Sequence, residues 1–221
     1  MGDLRQALYL FGFLPSIAFF LRVAIQWIQS ETKGKSSLSP IFWKLSLLGN
    51  SLLFIHSLIQ SQLHVALVQG ANFVVAYRNL DLMQAYPKMS KDSTLFALMI
   101  MTVLTTAANA LISWLFTGKI DFIRTPTLPW DTETVKHAPF LLHLIGSCGL
   151  ILFSSRFWVQ WWFTEQKAKS QLSPSFWWMS LLGGLMSLFY FSSIGDPVNM
   201  IGPLFGCIAY TRNLVLIRRA V

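Results

Sequence analysis

Acid is scarce in this chain. Nine Asp and Glu residues stand against seventeen Lys and Arg, and charged side chains make up only 12% of 221 residues. That is about half the share found in an average soluble domain. With 54% hydrophobic residues and a mean hydropathy of +0.53, the apolar surface exceeds what one compact core hides. The composition reads as a polytopic membrane protein.

Other absences narrow the function. The two cysteines, Cys148 and Cys207, both lie inside apolar runs, which excludes a disulfide framework and leaves them as small hydrophobes. His56, His64, His137 and His143 show no metal-ligand spacing, no nucleophile–base pair stands out, and the methionines are scattered. No catalytic apparatus, metal site or cofactor site is expected. The formal charge of +8 comes from cations spread over segment ends, not from a basic stripe with interleaved aromatics, so nucleic acid is excluded as a partner. Asp3 offsets Arg5, and the run from Ala7 to Trp27 has no A-x-A cleavage pattern. The N-terminus is therefore expected to stay as a membrane helix.

What is present is length of apolar sequence. A spanning helix needs about 20 such residues, and seven stretches qualify: Ala7–Ile28, Ile41–Ile59, Leu63–Leu82, Leu95–Phe116, Phe140–Phe163, Phe176–Ile194 and Pro197–Ile217. Connections are short except Thr117–His137, where TPTLP marks an irregular loop. Seven spans put the termini on opposite sides. One side collects thirteen of the seventeen Lys and Arg residues and the other only Arg5, Lys119, Arg124 and Lys136. The bias predicts an outside N-terminus and a cytoplasmic C-terminus.

The chain also repeats itself. Laid on Phe153–Gly183, the segment Phe19–Gly49 aligns without a gap, and 17 of the 31 positions are identical, among them Arg22, Gln26, Pro40 and Trp43. The same register matches Arg78-Asn79-Leu80 with Arg212-Asn213-Leu214. Shared hydrophobicity does not produce Arg, Gln, Lys and Pro at one register, so the pattern reads as a duplication. Each copy holds three spans with one between them. The odd helix restores the orientation of the second copy, giving parallel repeats in a 3+1+3 order. The expected division is residues 1–91, a linker helix and outer loop at 92–138, and residues 139–221.

The series LSPSFWWMSLLGG and DPVNMIGPLFGCIAYTRNLVLI resembles the Lipid A Biosynthesis N-terminal domain family, over about Gly149 to Ile217 and, more divergently, Pro15 to Leu82. That family is similar in layout to the SWEET and PQ-loop superfamily, whose eukaryotic members are also 3+1+3 bundles. It occurs alone and as an N-terminal membrane extension of chlamydial lipid-A-disaccharide synthases. The resemblance implies the bacterial inner membrane and a link to lipid A assembly. The pattern departs in places. Asn50 stands where the second copy has Gly184, and Gln62-Leu63-His64 where it has Asp196-Pro197-Val198. The PQ dipeptide is missing, since Pro15 precedes Ser16 and Gly149 takes the matching place. No sugar-transport motif is therefore carried over, and the chain holds no soluble glycosyltransferase domain.

Arg22 and Gln26, like Arg156 and Gln160, are spaced i, i+4 on one helix face. Arginine inside a span is costly. One reading lets the four arginines snorkel to headgroups. A second makes Arg22, Arg78, Arg156 and Arg212 converge on a polar cluster that binds phosphate or carboxylate, with Gln26, Gln160, Asn79 and Asn213 meeting sugar hydroxyls or orienting the arginines. A third is an internal network with Glu31 and Glu165. Ser39-Pro40 and Ser173-Pro174 read as helix starts, and Ser46–Gly49 and Ser180–Gly184 as small-residue packing stripes. Trp27, Trp43, Trp161, Trp162, Trp177 and Trp178 read as an interfacial belt, or, for Trp43 and Trp177, as platforms for a sugar ring. Asp196 reads as a helix cap, or as a proton- or cation-coupling acid. The expected function is a membrane module of lipid A biosynthesis that anchors or feeds a cytoplasmic glycosyltransferase. Its expected partners are membrane lipids and an acylated-glucosamine or other anionic sugar ligand. A SWEET-like carrier of a small polar solute and a structural scaffold are the alternatives.

Overall fold

The computed structural model describes residues 2–33, 39–125, 138–167 and 173–219, and over these the chain is all-helical. Among the described residues the only β-type pairing is an isolated bridge between Gln62 and Ile123. Glu31 (its side chain), Lys35, Lys136, His137, Lys169 and most of TPTLP lie outside the described residues.

Helix α1 (Gly2–Tyr9) passes through a 3-10 turn (Leu10–Phe13) into α2 (Leu14–Lys33). Pro15 explains the tightened turn: it has no N–H for the Phe11 carbonyl, and its ring crowds that turn. The first apolar stretch is thus one rod with an irregular joint. Then come α3 (Pro40–Ile59), α4 (Leu63–Leu82), α5 (Lys91–Thr117), α6 (Phe140–Lys167), α7 (Pro174–Ser193) and α8 (Pro197–Arg219). Four segments, Arg5–Gln29, Pro40–Ile59, Lys91–Thr117 and Phe140–Gln166, are long and apolar enough to cross a membrane. Together with the many Leu, Ile and Phe side chains exposed on the bundle surface, they mark a membrane-associated protein.

Ser39 and Ser173 stand before Pro40 and Pro174 in extended conformation, as the helix-start pattern predicts, yet neither side chain makes the capping bond. The Ser173 hydroxyl pairs with that of Ser175 instead, at 2.7 Å. The full capping box belongs to Ser90 and Ser93 at the start of α5.

The α3–α4 and α7–α8 turns are built alike. Ser61 (φ 55°) and Gly195 (φ 66°) both take the left-handed conformation. Each is followed by an N–H reaching back five residues, from Gln62 to the Ser57 carbonyl (2.8 Å) and from Asp196 to the Phe191 carbonyl (2.9 Å), which satisfies helix-end carbonyls. Glycine takes this conformation freely. Ser61 takes it while fully buried, with its hydroxyl accepting a bond from Arg5 at 2.8 Å.

Helices α2, α3 and α4 pack in sequence, as do α6, α7 and α8. The two groups meet where α4 lies on α6 and α2 lies on α8, while α5 packs against α4 and α3. Close approach is set by glycine: a Cβ on Gly183 would stand 2.6 Å from the Phe153 backbone nitrogen, and one on Gly49 would run into the Phe19 ring. One core cluster gathers Phe42, Trp43, Phe157, Trp161, Phe176, Trp177 and Tyr210, and a second gathers Val65, Val68, Leu150, Tyr190 and Phe191.

Two sequence expectations are corrected here. Trp43, Trp161 and Trp177 are buried, as members of one aromatic cluster with Phe42, Phe157, Phe176 and Tyr210, and of the six only Trp27, Trp162 and Trp178 are exposed as a belt requires. Cys207 is half-buried beside Gly184, but Cys148 is exposed and does not pack as a core residue.

Candidate functional site

A cavity of about 400 Å³ runs between the two helix groups, within the range of small-ligand sites. It draws residues from α2, α3, α4, α6, α7 and α8, and none from α5. Along α8 its lining extends from Val198 to Asn213, about 22 Å of helix axis.

Arg22 and Arg156 enter this cavity from α2 and α6. Each lies about three turns, or about 16 Å, from the last residue of its helix, and both are buried. Snorkelling is therefore not their arrangement. The Arg22 Nη1 donates to Ser46 Oγ (3.0 Å), which itself donates to the Phe42 carbonyl (2.7 Å). Its guanidinium carbon lies 4.8 Å from the Phe19 ring centre, 5.2 Å from Phe42 and 5.4 Å from Phe157. Arg156 is caged by Phe153 (3.4 Å), Phe157 (4.6 Å), Tyr210 (5.3 Å) and Phe176 (5.6 Å).

Neither arginine has a carboxylate among the described residues, where both ion pairs belong to Arg78. Arg22 Nε and Arg156 Nε and Nη1 have no hydrogen-bond partner among the described residues. Ring faces contribute about 2 kcal/mol to a desolvated cation, against several kcal/mol for removing the ion from water. Two such cations beside one cavity form a locus of positive potential that an anion fits.

The other predicted residues divide. Gln26, Arg212, Asn213 and Trp177 line the same cavity, Arg212 being exposed with its guanidinium 5.9 Å from the Trp27 ring. Arg78, Asn79, Gln160 and Trp43 do not line it. Arg78 is consumed by structure. It donates through Nε to Glu165 (2.8 Å) and through Nη1 to Asp81 (3.0 Å) and the Met89 carbonyl (2.6 Å). Asp81 also accepts from the Lys88 and Met89 backbones, and Glu165 from Trp161 Nε1. The clamp ties α4, α6 and the 83–90 loop together, which is the internal network with Glu165. Asn79 and Asn213 donate to carbonyls of their own helices, Val75 (2.9 Å) and Ala209 (2.8 Å), and Gln160 donates to Thr164 (2.9 Å).

Toward the hairpin turns the bundle carries a second buried polar group that sequence reading named only through Asp196. The Asp196 carboxylate accepts from Tyr9 (2.7 Å), Gln62 (2.9 Å) and Asn199 Nδ2 (2.8 Å), and the Asn199 backbone N–H approaches it at 3.4 Å as in a helix cap. These bonds tie α1, the α3–α4 turn and α8. Beside them Tyr9 packs on His56 (5.4 Å between ring centres), and Tyr190 packs on His143 and His64 (5.7 Å each). Cavity amides at Asn50, Gln69 and Asn72 were also missed, although polar residues inside apolar spans are themselves a signal.

Two segments of the chain, residues 11–81 and 145–215, match the Lipid A Biosynthesis N-terminal domain family, and together they cover more than half of it. The chain belongs to that family. The matches begin at positions 11 and 145, the same register that sets Arg22 against Arg156. Among its relatives, a lipid-A-disaccharide synthase of Chlamydia felis (strain Fe/C-56) is 34% identical over 97% of this chain and 34% of that protein. The lipid-A-disaccharide synthase of Chlamydia caviae is 33% identical over 92% of this chain and 32% of its own length, and that of Chlamydia pneumoniae is 33% identical over 93% and 32%. The chain spans about a third of the length of these relatives. No solved structure matches it.

Proposed function

We propose that the chain is a membrane module of lipid A biosynthesis that binds the anionic head of an acylated sugar lipid between its two helix groups and presents it to a cytoplasmic glycosyltransferase. The observation that carries this reading is the pair of buried guanidiniums, Arg22 and Arg156, facing one cavity without a carboxylate among the described residues. Membership of the family and kinship to lipid-A-disaccharide synthases support the pathway.

Seven spans in two parallel repeats about a linker helix, with the N-terminus outside, belong to the same proposal. Support comes from the like-built turns at Ser61 and Gly195 and from reciprocal packing of α4 on α6 and α2 on α8. The thirteen-to-four distribution of cations supports the orientation.

Native mass spectrometry of the purified chain tests it. An anionic glycolipid should co-purify and be depleted in a folded Arg22→Gln/Arg156→Gln variant; equal occupancy in both sinks the proposal. A carrier role draws on the cavity's position between two helix groups. Uptake of a sugar phosphate by proteoliposomes containing the chain would favour that role over presentation.

A further inference from the structure

Next to the arginine pair the cavity wall carries three amides on one side. Asn50 on α3 and Gln69 and Asn72 on α4 are buried and line the cavity. Asn72 accepts a bond from Ser154 of α6 at 2.7 Å. Asn50 and Gln69 make no side-chain hydrogen bond within the described residues. Their amide groups open on the cavity and are spent on no neighbouring side chain, so both donors and acceptors are available to whatever occupies it. Two amides opening on one cavity mark a place where a ligand completes the hydrogen bonding.

The facing helix group presents the buried Ser187 hydroxyl, which has no partner among the described residues, but no amide that is free of a side-chain bond. In the register that pairs Arg22 with Arg156, the residues Asn50, Gln69 and Asn72 correspond to Gly184, Pro203 and Gly206. A Cβ on Gly206 would stand 2.5 Å from the Tyr210 hydroxyl, and one on Gly184 would stand 3.2 Å from Cys207 Sγ, so neighbouring side chains cover those positions. The two cavity amides of the α6–α8 group are already engaged: Asn199 Nδ2 donates to Asp196 and Gln62, and Asn213 Nδ2 to the Ala209 carbonyl. The cavity amides left without a side-chain bond belong to α3 and α4.

Its placement relative to the arginines is fixed by helix geometry. Asn50 follows by one turn the Ser46 that holds Arg22, about 6 Å along α3. Ser154, the partner of Asn72, is two residues from Arg156. One turn of helix is also the reach of a single sugar ring, from its phosphate to its far hydroxyl or amide groups.

We infer that Asn50, Gln69 and Asn72 form a subsite for the uncharged, hydroxyl- and amide-bearing ring of a saccharide, whose phosphate lies against Arg22 and Arg156. This rests on the anion-binding reading above and adds to it a demand on the neutral part of the ligand. Amides suit that part because each offers both a donor and an acceptor, and a saccharide hydroxyl uses both.

The test compares two probes on the full chain in phosphatidylcholine nanodiscs: N-acetylglucosamine 1-phosphate, and dodecyl phosphate, which has the anion without the ring. The wild-type chain should favour the sugar phosphate. Asn50→Leu and Gln69→Met, matched in heavy-atom count but unable to hydrogen-bond in the same way, should each weaken that probe by about 2- to 12-fold and leave dodecyl phosphate unchanged. Asn50→Ser, which keeps a small donor and acceptor, should retain more sugar-phosphate binding than Asn50→Leu, and this separates a ligand contact from a folding defect. Equal weakening of both probes, or no change in either, overturns the subsite. Arg156→Gln isolates the underlying reading: it should weaken both probes together. If it changes neither probe while Asn50→Leu still acts on the sugar phosphate alone, the anion reading falls and the saccharide wall stands. Binding of neither probe by the wild-type chain overturns both.

Discussion

Arg22 and Arg156 address the same ring: their guanidinium carbons lie 5.4 and 4.6 Å from the centre of Phe157. Two cations from different helices, at matching positions of the two family-matched segments, are thus held beside one aromatic side chain and one cavity. Like charges at such proximity in an apolar bundle repel, and no acid among the described residues separates them. Their persistence together is the strongest argument for an anion.

Arg156→Lys keeps the charge and removes the planar fork that stacks on Phe153 and offers paired donors. It should weaken binding of dodecyl phosphate by roughly 10- to 100-fold, the loss of a charge-assisted hydrogen bond. Titration of the purified variant in nanodiscs checks this, and an unchanged affinity would reduce Arg156 to a point charge.

Arg78→Leu should act on stability and not on binding. It strips the Asp81 and Glu165 carboxylates of their cation. Because Glu165 is partly exposed and Asp81 keeps two backbone donors, the cost should fall at about 2–4 kcal/mol, at or below that of breaking a fully buried pair. A lowered melting temperature with intact anion affinity is the expected pair of readings.

Gly183→Ala should destabilise more than Gly49→Ala. The new methyl group at 183 meets backbone of α6, which moves only with the helix, whereas at 49 it meets the Phe19 ring, which can turn. Overpacking of the first kind costs about 1–3 kcal/mol. Thermal unfolding of the two variants side by side ranks them, and the reverse order would contradict the packing described.

Tyr9→Phe removes the bond from a phenol to the buried Asp196 carboxylate. Bonds to charged acceptors contribute about 1.5–3 kcal/mol, so stability should fall by that amount while Gln62 and Asn199 still hold the acid. A double-mutant cycle with Gln62→Leu should show coupling, since both donors serve one carboxylate.

Helix positions were legible in the sequence because apolar length is a direct measure of them: Leu63–Leu82 coincides with α4. The arginine pair was legible through its repetition with Gln26 and Gln160. What was not legible is partner choice. Arg78 and Arg212 share a register, yet Arg78 is enclosed by Asp81 and Glu165 while Arg212 is exposed at the cavity edge. Only tertiary packing of α4 on α6 decides that. Trp43 and Trp161 read like interfacial tryptophans by position along the chain, and which face of a helix meets its neighbour is what buries them. Asn50 and Gln69 were visible as amides in apolar runs, but their convergence on one cavity wall was not.

Gln62 and Asp196 stand at the same distance into the two family-matched segments, and the Gln62 amide donates directly to the Asp196 carboxylate. A place where equivalent positions touch cannot carry the same ionised residue on both sides: Asp at both would set two carboxylates within hydrogen-bond reach, out of water. One family-matched segment carries the acid here and the other the neutral donor. Deeper along the helices, at another pair of matching positions, Arg22 and Arg156 face one cavity. Two identical charges there are what the proposed anionic ligand would separate.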